Sequence, residues 1–218
     1  MIRVHVFVEG QTEETFVKDV LYDHFCPLDI FLNPILVRTS KIGKGGIQSY
    51  GKIRWQVEQK CKEDKQAYVT TMFDVYGLPK DFPGKDEALK IADVINKAQY
   101  LEDAFNKDIN QKHFIPNFLL HEFEALLFSA PQMFANLFDE LSVAKLMSEG
   151  KGFPTPEHIN DHPQTAPSKR ILRYIPAYQK PIDGILIAQA IGLDSIRKEC
   201  RHFNGWLENL EGLKGIAV

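Results

Sequence analysis

Residues 2–8 alternate apolar and polar side chains before running fully apolar, the pattern of a strand that enters a core. A glycine turn follows. From residue 11 onward Phe16, Val17, Val20 and Leu21 fall on one helical stripe, with Thr12 as a candidate cap and Glu13 and Glu14 suited to the positive first turn. The rhythm then repeats. A short strand is expected at 33–37, a Gly- and Lys-rich loop at 40–46, a helix at 47–65, a strand at 67–73, a helix at 85–108 and a fourth strand at 113–120. This alternation predicts an α/β fold with a parallel sheet of about four strands covered by helices, because parallel neighbours need long crossover connections. From Glu122 the pattern turns helical: segments at 122–138 and 140–150, a Pro-rich stretch at 153–167, and helices at 168–175, 182–192 and 193–211. The expected division is an α/β core over 1–120 with a helical part over 121–218 packed on it, as two parts or as one continuous domain.

Composition narrows the class without naming a function. With 218 residues, 44% hydrophobic and 25% charged, the chain matches an ordinary globular protein. No apolar run approaches the roughly 18 residues of a membrane span, and the first residues lack the form of a secretory signal, so a cytoplasmic protein is expected. Cys26, Cys61 and Cys200 are odd in number and widely spaced, with no pair suited to zinc or a disulfide framework. A net charge of −3, from 26 basic and 29 acidic residues, supplies no global attraction to phosphate backbones. Any nucleic-acid contact must therefore come from a local basic patch.

In a parallel α/β sheet ligands collect at the carboxyl ends of the strands, and there Glu9 and Asp74 each directly follow an apolar strand. Two carboxylates on one rim repel each other unless a cation intervenes, and hard oxygen ligands suit Mg²⁺ or Mn²⁺. Gly10 permits a sharp turn after Glu9, and Glu13 brings a third carboxylate within reach or serves only the helix dipole.

VEGQTE at 8–13 after a strand, and FDVYG at 73–77 ending a later one, resemble the Toprim fold of topoisomerases, bacterial primases and overcoming-lysogenization-defect (OLD) nucleases; the first motif is most similar to the last group. More closely, HEFEALLFS at 121–129, TAPSKRI at 165–171 and IGLDSIRKECRHFNGWL at 191–207 make nearly the whole chain resemble the bacterial family of domain of unknown function 4276. The resemblance implies that the invariant Toprim glutamate falls on Glu9 and the first strand-end aspartate on Asp74. Toprim proteins carry Asp-x-Asp at that strand end, whereas this chain has Asp74, Val75 and Tyr76, so the second aspartate is absent and Tyr76 is expected to shape the site.

Glu122 and Glu124 are candidate replacements. Residues two apart lie about 200° apart around a helix, so one of them is expected to face the site while the other opens the helix. His121 is a candidate to hold a carboxylate or move a proton. Lys169, included among the catalytic candidates, and Arg170 are expected to bind phosphate beside a helix start, with Lys41 and Lys44 in the glycine loop as a second basic contact. That loop lacks P-loop spacing, so no ATP site is expected. His158 and His162 read as ordinary loop histidines, and the stripe Ile196, Cys200, Phe203, Leu207 and Leu210 as core.

These readings favour a divalent-metal-dependent phosphodiester hydrolase, a Toprim-like nuclease acting on nucleic acid, with DNA favoured over RNA and both left open. Family resemblance implies a place in a bacterial phage-defence or DNA-processing module. The alternatives are a non-catalytic or conditionally active partner of a separately encoded ATPase, and a metal-dependent nucleotide phosphohydrolase.

Overall fold

The computed structural model describes residues 1–37, 49–159 and 164–216. Strand β1 (Ile2–Val8) leads into helix α1 (Gln11–Phe16), which widens through a π-helical stretch (Val17–Leu21) into α2 (Tyr22–Phe25). Then come β2 (Ile30–Leu36), α3 (Tyr50–Glu63), β3 (Tyr68–Asp74), α4 (Lys85–Ala88), α5 (Val94–Ile109), β4 (Phe114–Ile115) and β5 (Phe118–Leu119). The helical remainder is α6 (Phe123–Leu127), α7 (Glu140–Gly150), α8 (Pro167–Tyr174), α9 (Lys180–Ile191), α10 (Leu193–Glu199) and α11 (Arg201–Ile216). All pairings are parallel, in the order β2-β1-β3-β4, with β5 continuing along β3. The α/β architecture with a parallel sheet and a helical C-terminal region is the one expected. No described helix is long and apolar enough to cross a membrane.

The period-two alternation of β1 sorts its side chains between two apolar cores. Val4, Val6 and Val8 pack with Phe16, Phe123, Leu207 and other residues of the C-terminal helices, whereas Phe7 joins Val69, Phe73, Val57 and Phe105 beneath α3 and α5. Residues of both chain halves thus share the first core. Two threonines in the middle of β3 are fully buried yet satisfied: Thr70 accepts a 2.9 Å bond from the Trp206 indole, and Thr71 Oγ1 donates to the Asn117 carbonyl while accepting from its N–H.

Several boundaries differ from expectation for local reasons. The second strand begins at Ile30, since Ile30 and Leu32 are the residues it buries, and Pro34 is tolerated because β2 is an edge strand. The expected helix over 85–108 is two helices, the second restarting where Asp93 accepts a bond from the Asn96 N–H. The fourth strand is reduced to β4 and β5, because Pro116 lies between them and offers no donor to the ladder. Thr12 is buried rather than capping, and Gly10 holds the N-cap position of α1 with no side-chain cap. The segment expected over 193–211 is divided at Cys200 into α10 and α11.

Candidate acidic site at the sheet edge

β1 and β3 are neighbours in register, with Val8 opposite Met72, so the residues after them emerge together. The Glu9 Oε1 atom accepts the Asp74 backbone N–H at 3.0 Å, which turns the first carboxylate across the end of β3. A Cβ at Gly77 would stand 3.4 Å from both Glu9 carboxylate oxygens, and one at Gly10 would stand 2.9 Å from Glu13 Oε2. These two glycines leave room where the carboxylates gather. Glu13, in the first turn of α1, and Glu124, in α6, are both buried.

Lys180, the first residue of α9, reaches into this group. Its Nζ lies 3.3 Å from Glu13 Oε1 and 3.1 Å from Glu124 Oε2. Glu124 Oε2 faces only this ammonium, and Glu124 Oε1 is buried without a hydrogen-bond partner. About a third of the Lys180 side chain is exposed, at 34%, while the surroundings of its ammonium are largely desolvated.

Desolvation and mutual repulsion govern the charges. Burial pushes the Glu9 carboxyl up to about 7, against the opposing Asp74 N–H and with the help of the Glu13 charge. Asp74 is pushed well above the usual carboxylate range, first by burial and then by Glu9. Burial also raises Glu124 to about 7, although the Lys180 charge opposes the shift. For Lys180 the largest influence, burial, lowers the value, but the charges of Glu124, Glu13 and Asp74 together outweigh it and hold the amine above its ordinary range. One ammonium among Glu9, Glu13, Asp74 and Glu124 leaves negative charge uncompensated whenever all four carboxylates are ionised.

Glu122 points elsewhere. It holds the N-cap position of α6, and its Oε2 accepts the Ser168 N–H at 2.9 Å, tying α6 to the start of α8. Lys169 is exposed. Arg170 is buried away from the acidic group: its guanidinium donates to the Thr165 carbonyl at 2.7 Å and to Glu149, and stacks over Phe153. His121 is buried at φ 111°, a backbone conformation rare outside glycine, with Nε2 3.1 Å from the Glu157 carbonyl oxygen. Tyr76 lies in the short turn Val75–Gly77 after β3, its side chain outside the described residues. Lys41, Lys44 and His162 also lie outside the described residues. His158 bonds Thr155 and lies 4.0 Å from Asp93.

The sequence corresponds to domain of unknown function DUF4276 over residues 8–211. The chain belongs to the DUF4276 family. Among solved structures, this DUF4276 chain is similar to the C-terminal region of the OLD protein of Xanthomonas campestris pv. campestris, at 15% identity and a TM-score of 0.43, with 99% of this chain and 97% of that one covered. No curated protein matches it.

The acidic group contains a residue that local sequence reading passes over, Lys180, which precedes the helix expected from residue 182. Pro181 marks a helix start, but nothing near it in the sequence points to carboxylates on β1, β3 and α6. Among the described residues no group of three or more His, Cys, Asp or Glu side chains forms a ready-made metal cage. The donor chemistry nevertheless suits a hard cation, because it consists of carboxylate oxygens, of which Glu124 Oε1 is buried without a hydrogen-bond donor.

Proposed function

We propose that this protein is a divalent-metal-dependent phosphodiester hydrolase of Toprim type, acting on nucleic acid. The observation that carries the reading is the convergence of Glu9, Asp74, Glu13 and Glu124 on one sheet edge around Lys180. Glu9 and Asp74, with Glu124 in place of the aspartate that Tyr76 replaces, would hold Mg²⁺ or Mn²⁺. Such an ion, when bound, lowers the pKa of coordinated water and offsets charge on phosphoryl oxygens. Lys180 supplies a positive group beside the carboxylates, where it would orient a phosphate oxygen. The Asp74 N–H keeps the Glu9 carboxylate aimed across the strand ends, and the glycines at 10 and 77 keep that space open.

The test is incubation of supercoiled plasmid and cellular RNA with the purified protein and Mn²⁺ or Mg²⁺, beside Glu9→Gln. Metal-dependent cleavage that disappears in the variant supports the reading and names the polymer. Absence of cleavage under all these conditions counts against it. The second reading, a conditionally active or non-catalytic partner of a separate ATPase, draws on the pairing of Lys180 with Glu13 and Glu124, which partly neutralises the cluster without metal. If Asp74→Asn leaves partner binding and biological activity intact, this second reading gains and the first loses.

A further inference from the structure

A cavity of about 170 Å³ opens at the same sheet edge, between the turn after β3, helices α4 and α5, and the segment after β5. Val75, which follows Asp74 directly, forms part of its wall with Leu89, Leu101 and Leu120; Lys97 and His121 contribute polar groups. The cavity and the acidic cluster share the end of β3, where Asp74 belongs to the cluster and Val75 to the cavity wall.

Three features describe its occupant. The walls are mostly apolar, and Leu89 at the rim is 71% exposed, so one wall is reachable from solvent. The volume is well below the roughly 300–1,000 Å³ that whole drug-sized ligands fill, so it has room for one ring system rather than a complete nucleotide. Lys97 makes no ion pair or side-chain hydrogen bond among the described residues, which leaves an ammonium available to an anion beside that ring. The lining is aliphatic apart from His121, Lys85 and Lys97, so a ring would be held by burial against apolar walls and an attached phosphate by charge, which fits a nucleobase and its phosphate.

We infer that this cavity receives a nucleobase from an unpaired strand, while a neighbouring phosphodiester lies at the carboxylate cluster and Lys97 faces a flanking phosphate. The inference rests on the hydrolase reading and adds the substrate class: single-stranded or locally unpaired nucleic acid. A base within an intact duplex is stacked and paired, and it enters such a slot only after leaving the helix.

The experiment measures binding of a short labelled single-stranded oligonucleotide to the full chain by fluorescence anisotropy, with and without Mg²⁺. A fully abasic strand of the same length and the corresponding duplex serve as comparisons. The single strand is expected to bind about tenfold more tightly than either, since burial of one face of a base against apolar walls is of that order. Leu89→Asp, at an exposed position compatible with folding, and Lys97→Glu should each remove most of that preference. Equal affinity for base-bearing and abasic strands, equal affinity for the duplex, or indifference to Leu89→Asp and Lys97→Glu overturns the proposal.

Cleavage followed on the same samples separates this inference from the hydrolase reading. Base-dependent binding without metal-dependent cleavage keeps the cavity assignment and removes the hydrolase. Cleavage abolished by Glu9→Gln but indifferent to base and to Leu89 does the reverse. No binding of any strand overturns both.

Discussion

Two ion pairs in the helical region are built to opposite standards. Around Arg170 and Glu149 nearly every polar group has a partner: the guanidinium reaches Glu149 and the Thr165 carbonyl and stacks on Phe153, while Glu149 also receives the Tyr174 hydroxyl at 2.8 Å and lies 3.5 Å from Arg173. Around Lys180 and Glu124 the pairing is incomplete: Glu124 Oε2 faces the ammonium at 3.1 Å, but Oε1 has no hydrogen-bond donor although the residue is fully buried. The first arrangement meets the conditions under which a buried charge pair is tolerated as structure. The second leaves unmet capacity for a positive or hydrogen-bonding group, next to Glu9, Glu13 and Asp74. A finished pair holds α7 to α8; an unfinished one marks where chemistry is expected.

The largest effect is expected at the unfinished end. Asp74→Asn should lower metal-dependent cleavage by about 10³-fold or more, as loss of an electrostatic group at a reacting centre does, while circular dichroism stays unchanged. Retained cleavage would remove Asp74 from the site.

Arg170→Ala should act in the opposite way. It leaves Glu149 with only Tyr174 and the partly exposed Arg173, and chemical denaturation should show a loss of about 3 kcal/mol, the lower end for a broken buried pair. Cleavage per folded molecule should be unchanged; a selective loss of activity would place Arg170 in the site after all.

Glu124→Gln sharpens the contrast through pH. Because the folded-state value of Glu124 is raised to about 7 from an ordinary 4.5, the native protein holds an extra proton between those values. The contribution of that group is therefore full below about pH 4.5 and is lost as pH rises through 7. The glutamine does not titrate. In EDTA, the stability of the variant relative to the natural protein should rise between pH 5 and pH 8, by up to roughly 3 kcal/mol for a shift of this size. A difference in Tm that does not change with pH would show that Glu124 ionises normally.

The smallest effect is expected at Glu122. Glu122→Ala removes the acceptor of the Ser168 N–H, and a loss of about 1 kcal/mol in thermal or denaturant unfolding is expected, with cleavage little altered. A large loss of activity with normal stability would reverse the assignments of the two glutamates.

Much of this arrangement is legible along the chain. Glu9 and Asp74 can be picked out because each ends an apolar run, and the geometry of a parallel sheet brings such ends to one edge. The helix-spacing argument for Glu122 and Glu124 assumes that both lie in one helix; Glu122 instead sits in extended backbone at the N-cap of α6, so which glutamate faces inward depends on the backbone of His121 and Glu122. Arg170 and Lys169 show the opposite limit. A basic pair near a helix start looks the same whether it meets phosphate or a buried glutamate such as Glu149, and only the packing of α7 against α8 separates the two. The fourth strand was shortened by Pro116, a local signal whose weight depended on its position in the ladder.

The sequence by itself determined the strand-and-helix rhythm, the parallel sheet and the carboxylates at its edge, since hydrophobic period and turn chemistry act over a few neighbouring residues. Tertiary structure alone decided that Lys180 enters the acidic group, that Glu124 faces it while Glu122 ties down α8, and that the cavity beside Val75 opens next to it. Those outcomes depend on how α6 and α9 pack over the sheet, and contacts between residues distant along the chain leave no local periodic trace.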